Sequence, residues 1–381
     1  MSDNNDEVKI LTYKSGQFVF SAKHRKDELS ALFIQSKVLY AMIAGIPILP
    51  SLATKIEEDL IRKSIFSTAA IEGNSLSEER VKEILSNVST DKNITKNKKE
   101  VEISNLKQAY SYVQNLPIQK DGFILTEEIV NKIHLLVTQN IDYNGNLPGK
   151  YRNHLVKVND AEHGGVDVPP KIYEDIKMLM DEFFKWINNS NMKRADPIIR
   201  AALGHYYLAR IHPFADGNGR TARLVEALLL FQTGIKYVPV MLSNYYYYHI
   251  DDYFRAFASS IKNKENDVTD FLTFVLNGHI ESQNAIKDKI FNYIRKFTLR
   301  EYYRYLRKDN KISQRELDFL NSLLDVPKKF ALNEINEISG LNIIYRNVGE
   351  RTLRRDLDKM HSMKLILKEE NKYSINLHLL G

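Results

Sequence analysis

The sequence of 381 residues contains no cysteine, which excludes disulfides, thiolate metal sites and a cysteine nucleophile and agrees with a reducing compartment. It also lacks a long apolar run: the longest, residues 40–49, is broken by proline and too short to cross a bilayer. The opening MSDNNDEVKI is acidic and polar, without the basic and apolar regions of a secretory signal, so a soluble cytoplasmic protein with no membrane contact is expected. The absence of internal repeats and of low-complexity tracts excludes a solenoid or propeller. Neither GxxxxGK[ST] nor GxGxxG occurs, so phosphate cannot be held by a Walker A loop or a dinucleotide fingerprint.

What remains is a globular composition, 43% apolar and 27% charged, in a chain long enough for two or three packed units. The net charge of +6 permits an anionic ligand or nucleic acid and demands neither. Apolar residues recur at three and four over residues 28–46 and 60–72, predicting helices, with Gly73 placed to close the second and Ser75 with Glu78 to cap the next. DKNITKNKKE at 91–100 reads as an exposed loop. Asp196 and Pro197 open a helix that stops at His212-Pro213, and a second helix spans about 220–233 with Gly234 after it. Residues 155–159 and 166–168 pair as a short hairpin, the strongest strand signal in the first 300 residues. From about Lys311 the pattern changes to short helices, a basic helix over 350–363 and two strand-like runs, 365–368 and 372–377, a winged helix-turn-helix.

Chemistry concentrates in HPFADGNGRTAR, residues 212–223. Gly217 and Gly219 let backbone amides at a helix N-terminus converge on an anion. Arg220 and Arg223 share one face of the first helical turn, where a cation opposes the dipole and makes sense if an anion sits there. Asp216 is the kind of hard ligand Mg²⁺ takes while it binds phosphates, and His212 titrates near neutrality. Singly, each of these is also what a structural histidine or an ordinary glycine turn looks like; it is their adjacency that carries the reading. Glu72 extends an apolar stripe of Ile61, Ile65 and Thr68 at a helix C-terminus, where its charge opposes the dipole, so it needs a cationic partner from elsewhere in the fold, for which Arg223 is the candidate.

HPFADGNGRTAR resembles the HxFx[DE]GNGRxxR signature of Fic-domain proteins at every defined position. PGKYRNHLVKV at 148–158, VDVPP at 166–170 and LSNYYYYHIDDYFRAF at 242–257 are similar to Fic-core sequence, and TAAIEGN at 68–74 resembles the family's inhibitory motif. The resemblance implies a mainly α fold: a Fic helical core with a β-hairpin flap, an N-terminal helical region and a C-terminal winged helix, divided as 1–115, 116–290 and 291–381. It implies a protein adenylyltransferase that moves AMP from ATP onto a Ser, Thr or Tyr hydroxyl of a target and of itself. His212 is then the base, Asp216 the Mg²⁺ ligand, and Phe214 buried. Gly217, Asn218 and Gly219 hold the α- and β-phosphates, and Arg220 and Arg223 the terminal ones. The hairpin between 153 and 169 aligns the target by strand addition. Glu72 inhibits, and also offers to orient a water for removal of AMP. Doc-like relatives that transfer phosphate carry lysine where this chain has Gly219, which favours AMP transfer. Partners implied are ATP, an unidentified target protein, DNA or protein at the winged helix, and a second copy in a homodimer. The alternative reading is a DNA-binding regulator whose Fic domain only senses nucleotide.

Overall fold

The computed structural model describes residues 7–86, 97–119, 122–142, 145, 147–158, 168–326, 329–335, 337–338 and 340–380. The turn of the expected flap hairpin lies outside the described residues. The chain divides into two compact units, Met1–Ile286 and Lys287–Gly381.

The first unit opens with an antiparallel hairpin, β1 (Val8–Leu11) and β2 (Gln17–Phe20), in register Val8 to Phe20. The sequence reading placed no strand here. The strands are short and only Phe20 is fully buried, against Trp186 and Tyr207, so the alternation that marks a half-buried strand scarcely develops. Helices follow: α1 (Lys26–Ala44), α2 (Pro50–Ile71), α3 (Glu78–Ser86), α4 (Lys98–Asn115), α5 (Glu127–Thr138), α6 (Tyr173–Ile187), α7 (Ser190–Arg194), α8 (Pro197–Ile211), α9 (Asn218–Phe231), α10 (Leu242–Tyr248), α11 (Ile250–Lys262) and α12 (Thr269–Lys308), the last extending beyond this unit.

Helices α8 and α9 form an antiparallel pair with apolar residues on almost every face, so other elements cover them all round: α6 on α8, and α2, α4 and α5 on α9. Gly204 permits their close approach, since a Cβ there would meet Leu229 at 2.7 Å. The Asp196 side chain caps α8, accepting from the Ile198 amide at 3.0 Å with Pro197 in the first turn. Helix α2 ends with Glu72 at the C-cap and Gly73 at φ 84°, the glycine termination expected from sequence. The next cap differs from expectation. Ser77 caps α3 by accepting from the Arg80 amide, while Ser75 accepts from Lys99, which sits in α4 rather than in an exposed loop.

In the second unit α13 (Gln314–Leu323), β3 (Phe330–Ala331), α14 (Leu341–Tyr345), α15 (Glu350–Ser362), β4 (Ile366–Glu369) and β5 (Lys372–Ile375) follow the C-terminal part of α12. The sheet is antiparallel in the order β3-β5-β4, and Phe319, Phe330, Tyr345, Leu357 and Met360 form its core. Ser313 and Glu316 make a reciprocal capping box at α13. Arg351, Arg354, Arg355 and Lys359 of α15 are exposed, whereas Asp356 is buried and accepts from Arg315 at 2.7 Å.

Candidate active site

Helix α8 stops because His212 adopts a left-handed conformation, φ 50°, ψ 57°, and Pro213 cannot continue the helix. The chain turns through Phe214, which is buried as expected and stacks on His134 with ring centroids 3.7 Å apart. Gly217 is left-handed at φ 75° and caps α9; a Cβ there would meet Thr138 at 2.8 Å, so both conformation and space demand glycine. The Thr221 amide donates to the Gly217 carbonyl, and the amides of Asn218 and Gly219 precede it at the helix N-terminus, where backbone N–H groups suit an anion.

The Asn218 side chain is spent on the loop itself. Its Oδ1 accepts from the Phe214 amide at 2.9 Å and its Nδ2 donates to the Phe214 carbonyl at 2.8 Å, so what Asn218 offers a phosphate is its backbone amide. Arg220 is buried and donates to Asp216 at 2.7 Å, with Glu102 of α4 at 3.9 Å. Asp216 is the more accessible of that pair, at 35% side-chain exposure. Arg223, one turn further on, is almost wholly enclosed. Its Nε donates to Thr68 Oγ1 at 2.7 Å, and its Nη2 donates to the Thr68 carbonyl at 3.2 Å and to Glu72 Oε1 at 2.8 Å. The ion pair sought for Glu72 on electrostatic grounds is therefore present.

The Glu72 carboxylate also presses on the helix N-terminus, where a Cβ on Gly219 would lie 2.3 Å from Oε1. Burial works against charge on Glu72, but Arg223 and Arg220 outweigh it and hold the carboxyl below its ordinary range. Burial likewise opposes charge on Arg223, and Glu72 more than compensates. His212 is pushed down to about 4, chiefly by burial, with Arg152 adding to the effect and the Ala209 carbonyl, Glu72 and Asp216 opposing it. Its Nδ1 lies 3.3 Å from the Ala209 carbonyl; a proton there leaves Nε2 as the free acceptor of a neutral ring.

A cavity of about 230 Å³ joins these groups: Glu72, His212, Gly219 and Arg223 line its polar end, and Tyr253 and Phe257 of α11 lie on its aromatic wall. Sequence reasoning missed that wall, because aromatic residues on an amphipathic helix read as core. It also missed two buried polar residues behind the loop. His134, held near 4 by burial, lies 2.9 Å from the Asp216 carbonyl through Nε2 and accepts the Gly149 amide at Nδ1. Arg152 donates to the His212 carbonyl. Their signal was a polar residue amid the apolar run of α5 and an arginine inside PGKYRNHLVKV.

The site thus sets a histidine beside a helix N-terminus on an α-helical hairpin. Residues 124–230 match the model of the Fic/DOC family. It is 31% identical over 224 residues to "Protein adenylyltransferase Fic" of Aedes aegypti, an alignment covering 58% of this chain and 40% of that one. The protein of the same name from Drosophila ananassae is 30% identical over 236 residues, covering 60% and 41%. The chain thus spans about two-fifths of the length of the curated relatives it matches. The fold matches a crystal structure of a Fic family protein from Desulfovibrio desulfuricans, TM-score 0.57 at 18% identity over 91% of this chain and 95% of that one. It also matches Fic-1 from C. elegans, TM-score 0.55 at 21% identity over 69% and 74%. No helix among the described residues is long and apolar enough to cross a membrane.

Proposed function

We propose that this protein is an adenylyltransferase that moves AMP from ATP to a hydroxyl of a target protein, with His212 as general base and Glu72 as its inhibitor. The observation that carries the reading is the contiguity of a neutral imidazole, the start of α9 at Gly219 and the buried Arg223 along one cavity, with buried Arg220 in the same first turn of α9. The substrate hydroxyl oxygen attacks the α-phosphorus, its proton passes to His212 Nε2, and the bond to pyrophosphate breaks. The amides at Gly217, Asn218 and Gly219 cradle the α- and β-phosphates, and Arg220 and Arg223 take the terminal ones. The aromatic wall of α11 suits a purine base. Asp216 fits a Mg²⁺ ion, which needs one carboxylate when substrate phosphates supply the remaining anionic ligands. No group of three His, Asp or Glu able to hold a metal by itself occurs among the described residues. Bound there, Mg²⁺ would neutralise phosphate charge.

The division into an inhibitory region over 1–115, a catalytic core over 116–290 and a winged helix over 291–381 belongs to the same proposal. So does contact of the last with DNA. Residues 287–381 hold 20 basic and 13 acidic side chains, a balance of +7 against +6 for the whole chain, and the exposed arginines of α15 follow the inserted helix of that topology. The deciding experiment supplies ATP labelled on the α-phosphate or on the γ-phosphate, with Mg²⁺, to the Glu72→Gly protein in lysate. Label carried to protein from the α position alone supports the reading, transfer from the γ position replaces it with a kinase, and no transfer from either leaves the nucleotide-sensing regulator.

A further inference from the structure

We propose that Arg152 is a positioning residue for the transfer reaction, joining the backbone at His154 and at Pro170 to the backbone of His212. The inference rests on His212 being the base. Arg152 is 2% exposed, yet it pairs with no carboxylate among the described residues. Its guanidinium donates to three backbone carbonyls from three parts of the chain: His212 through Nε at 2.8 Å, His154 through Nη1 at 2.6 Å and Pro170 through Nη2 at 2.9 Å. Its own amide donates to the Pro213 carbonyl at 2.9 Å.

A buried cation without a counter-ion is costly, and neutral residues could fill the same volume. Burial lowers the Arg152 pKa to about 10, which still leaves the group charged at neutral pH. What a neutral residue could not supply is a rigid planar fork of five donors able to hold three strands of backbone in fixed relation. His154 lies four residues before Val158, which lines the cavity, and Pro170 belongs to a later part of the chain, while His212 bears the reacting nitrogen. The fork therefore sets the distance between whatever docks along residues 153–158 and the imidazole that must reach its hydroxyl. The charge has a second effect. Glu72 from α2 and Asp216 from the catalytic loop favour protonation of His212, and Arg152 opposes them; Arg223 and Tyr253 line the same cavity. The cation thus adds to burial in holding the base unprotonated, against the pull of the two carboxylates.

Lysine and glutamine separate the two effects, because lysine keeps the charge and loses the fork while glutamine loses the charge. In the full-length Glu72→Gly protein, Arg152→Lys should lower AMP transfer about tenfold to a hundredfold through misplacement. ATP affinity should stay within about twofold, since Arg152 touches no phosphate-cradling group, and the His212 pKa measured by NMR should not move. Arg152→Gln should lower transfer similarly and raise the His212 pKa by about one unit. Transfer at the parent rate by Arg152→Lys would overturn the tether, and an unmoved His212 titration in folded Arg152→Gln would overturn the electrostatic role. Should Arg152→Gln not fold, Arg152→Lys still decides the tether. The NMR titration needs no turnover, so if the parent transfers no AMP the proposed activity fails while the link from Arg152 to His212 remains tested.

Discussion

Replacing Glu72 with glycine is the perturbation whose size the structure lets one work out. Its carboxylate accepts from Arg223 at 2.8 Å and covers the start of α9 against Gly219, so a terminal phosphate would compete with it for both the arginine and the space. A hydrogen bond between charged groups contributes about 1.5–3 kcal/mol, which at about 1.4 kcal/mol per decade is roughly 10-fold to 150-fold in productive nucleotide binding. Arg223 is 1% exposed but Glu72 is 29% exposed, so water screens one side of the pair and the lower half of that range is expected. Glycine at the C-cap, beside Gly73, adds little backbone cost. Arg223 keeps both Thr68 acceptors, so the variant should fold with a lowered Tm that saturating ATP restores. The assay is incorporation of α-labelled AMP into protein across ATP concentrations, alongside direct ATP binding. Arg223→Ala added to Glu72→Gly should cancel the gain. A folded Glu72→Gly protein with wild-type ATP affinity and wild-type transfer would refute autoinhibition by this carboxylate.

His212→Ala should bind ATP nearly normally and lose transfer by about 10² to 10⁴-fold in the Glu72→Gly background; wild-type transfer would remove His212 from the base role. Because His212 is held near 4, kcat/KM should fall only as pH drops towards 4 and stay level above about 6, whereas a limb centred near the ordinary histidine value of about 6.5 would contradict the burial argument. Asp216→Ala should abolish the dependence of turnover on Mg²⁺ along with most activity, and an unchanged metal titration would exclude it as the ligand. His134, His212 and His279 are all held near 4 by burial and so bind protons more readily when unfolded. Stability should therefore decline as pH falls from about 6.5 to about 4, by up to about 1.4 kcal/mol per pH unit for each, and His279→Gln should flatten the slope measured by urea denaturation.

The loop at 212–218 was legible because its residues are contiguous and their geometry is set locally: a left-handed histidine, a capping glycine and a helix start follow one another within seven positions. Glu72 was legible for a different reason, since a carboxylate on an apolar stripe at a helix C-terminus is electrostatically unsatisfied until something distant supplies a cation. Arg152 and His134 stood out in the sequence only as polar residues in their segments, and what they hold was not legible. Their partners are backbone carbonyls and amides, which every residue has, so nothing in the side-chain sequence says where such bonds end. The hairpin at the N-terminus escaped because four-residue strands carry too few alternations to stand out from neighbouring turns.

The pairing of Glu72 with Arg223 spans 151 residues of chain, and the carboxylate comes first. At roughly 5–20 residues per second, α2 leaves the ribosome about 8–30 s before the arginine it holds. When the loop and α9 fold, the carboxylate that pairs with Arg223 has already been made. In a nascent molecule Glu72 is thus available to Arg223 as soon as α9 is complete. The same order means that a product starting downstream of Glu72, by internal initiation or by proteolysis within 73–115, would carry the whole loop at 212–223 without the carboxylate that holds Arg223.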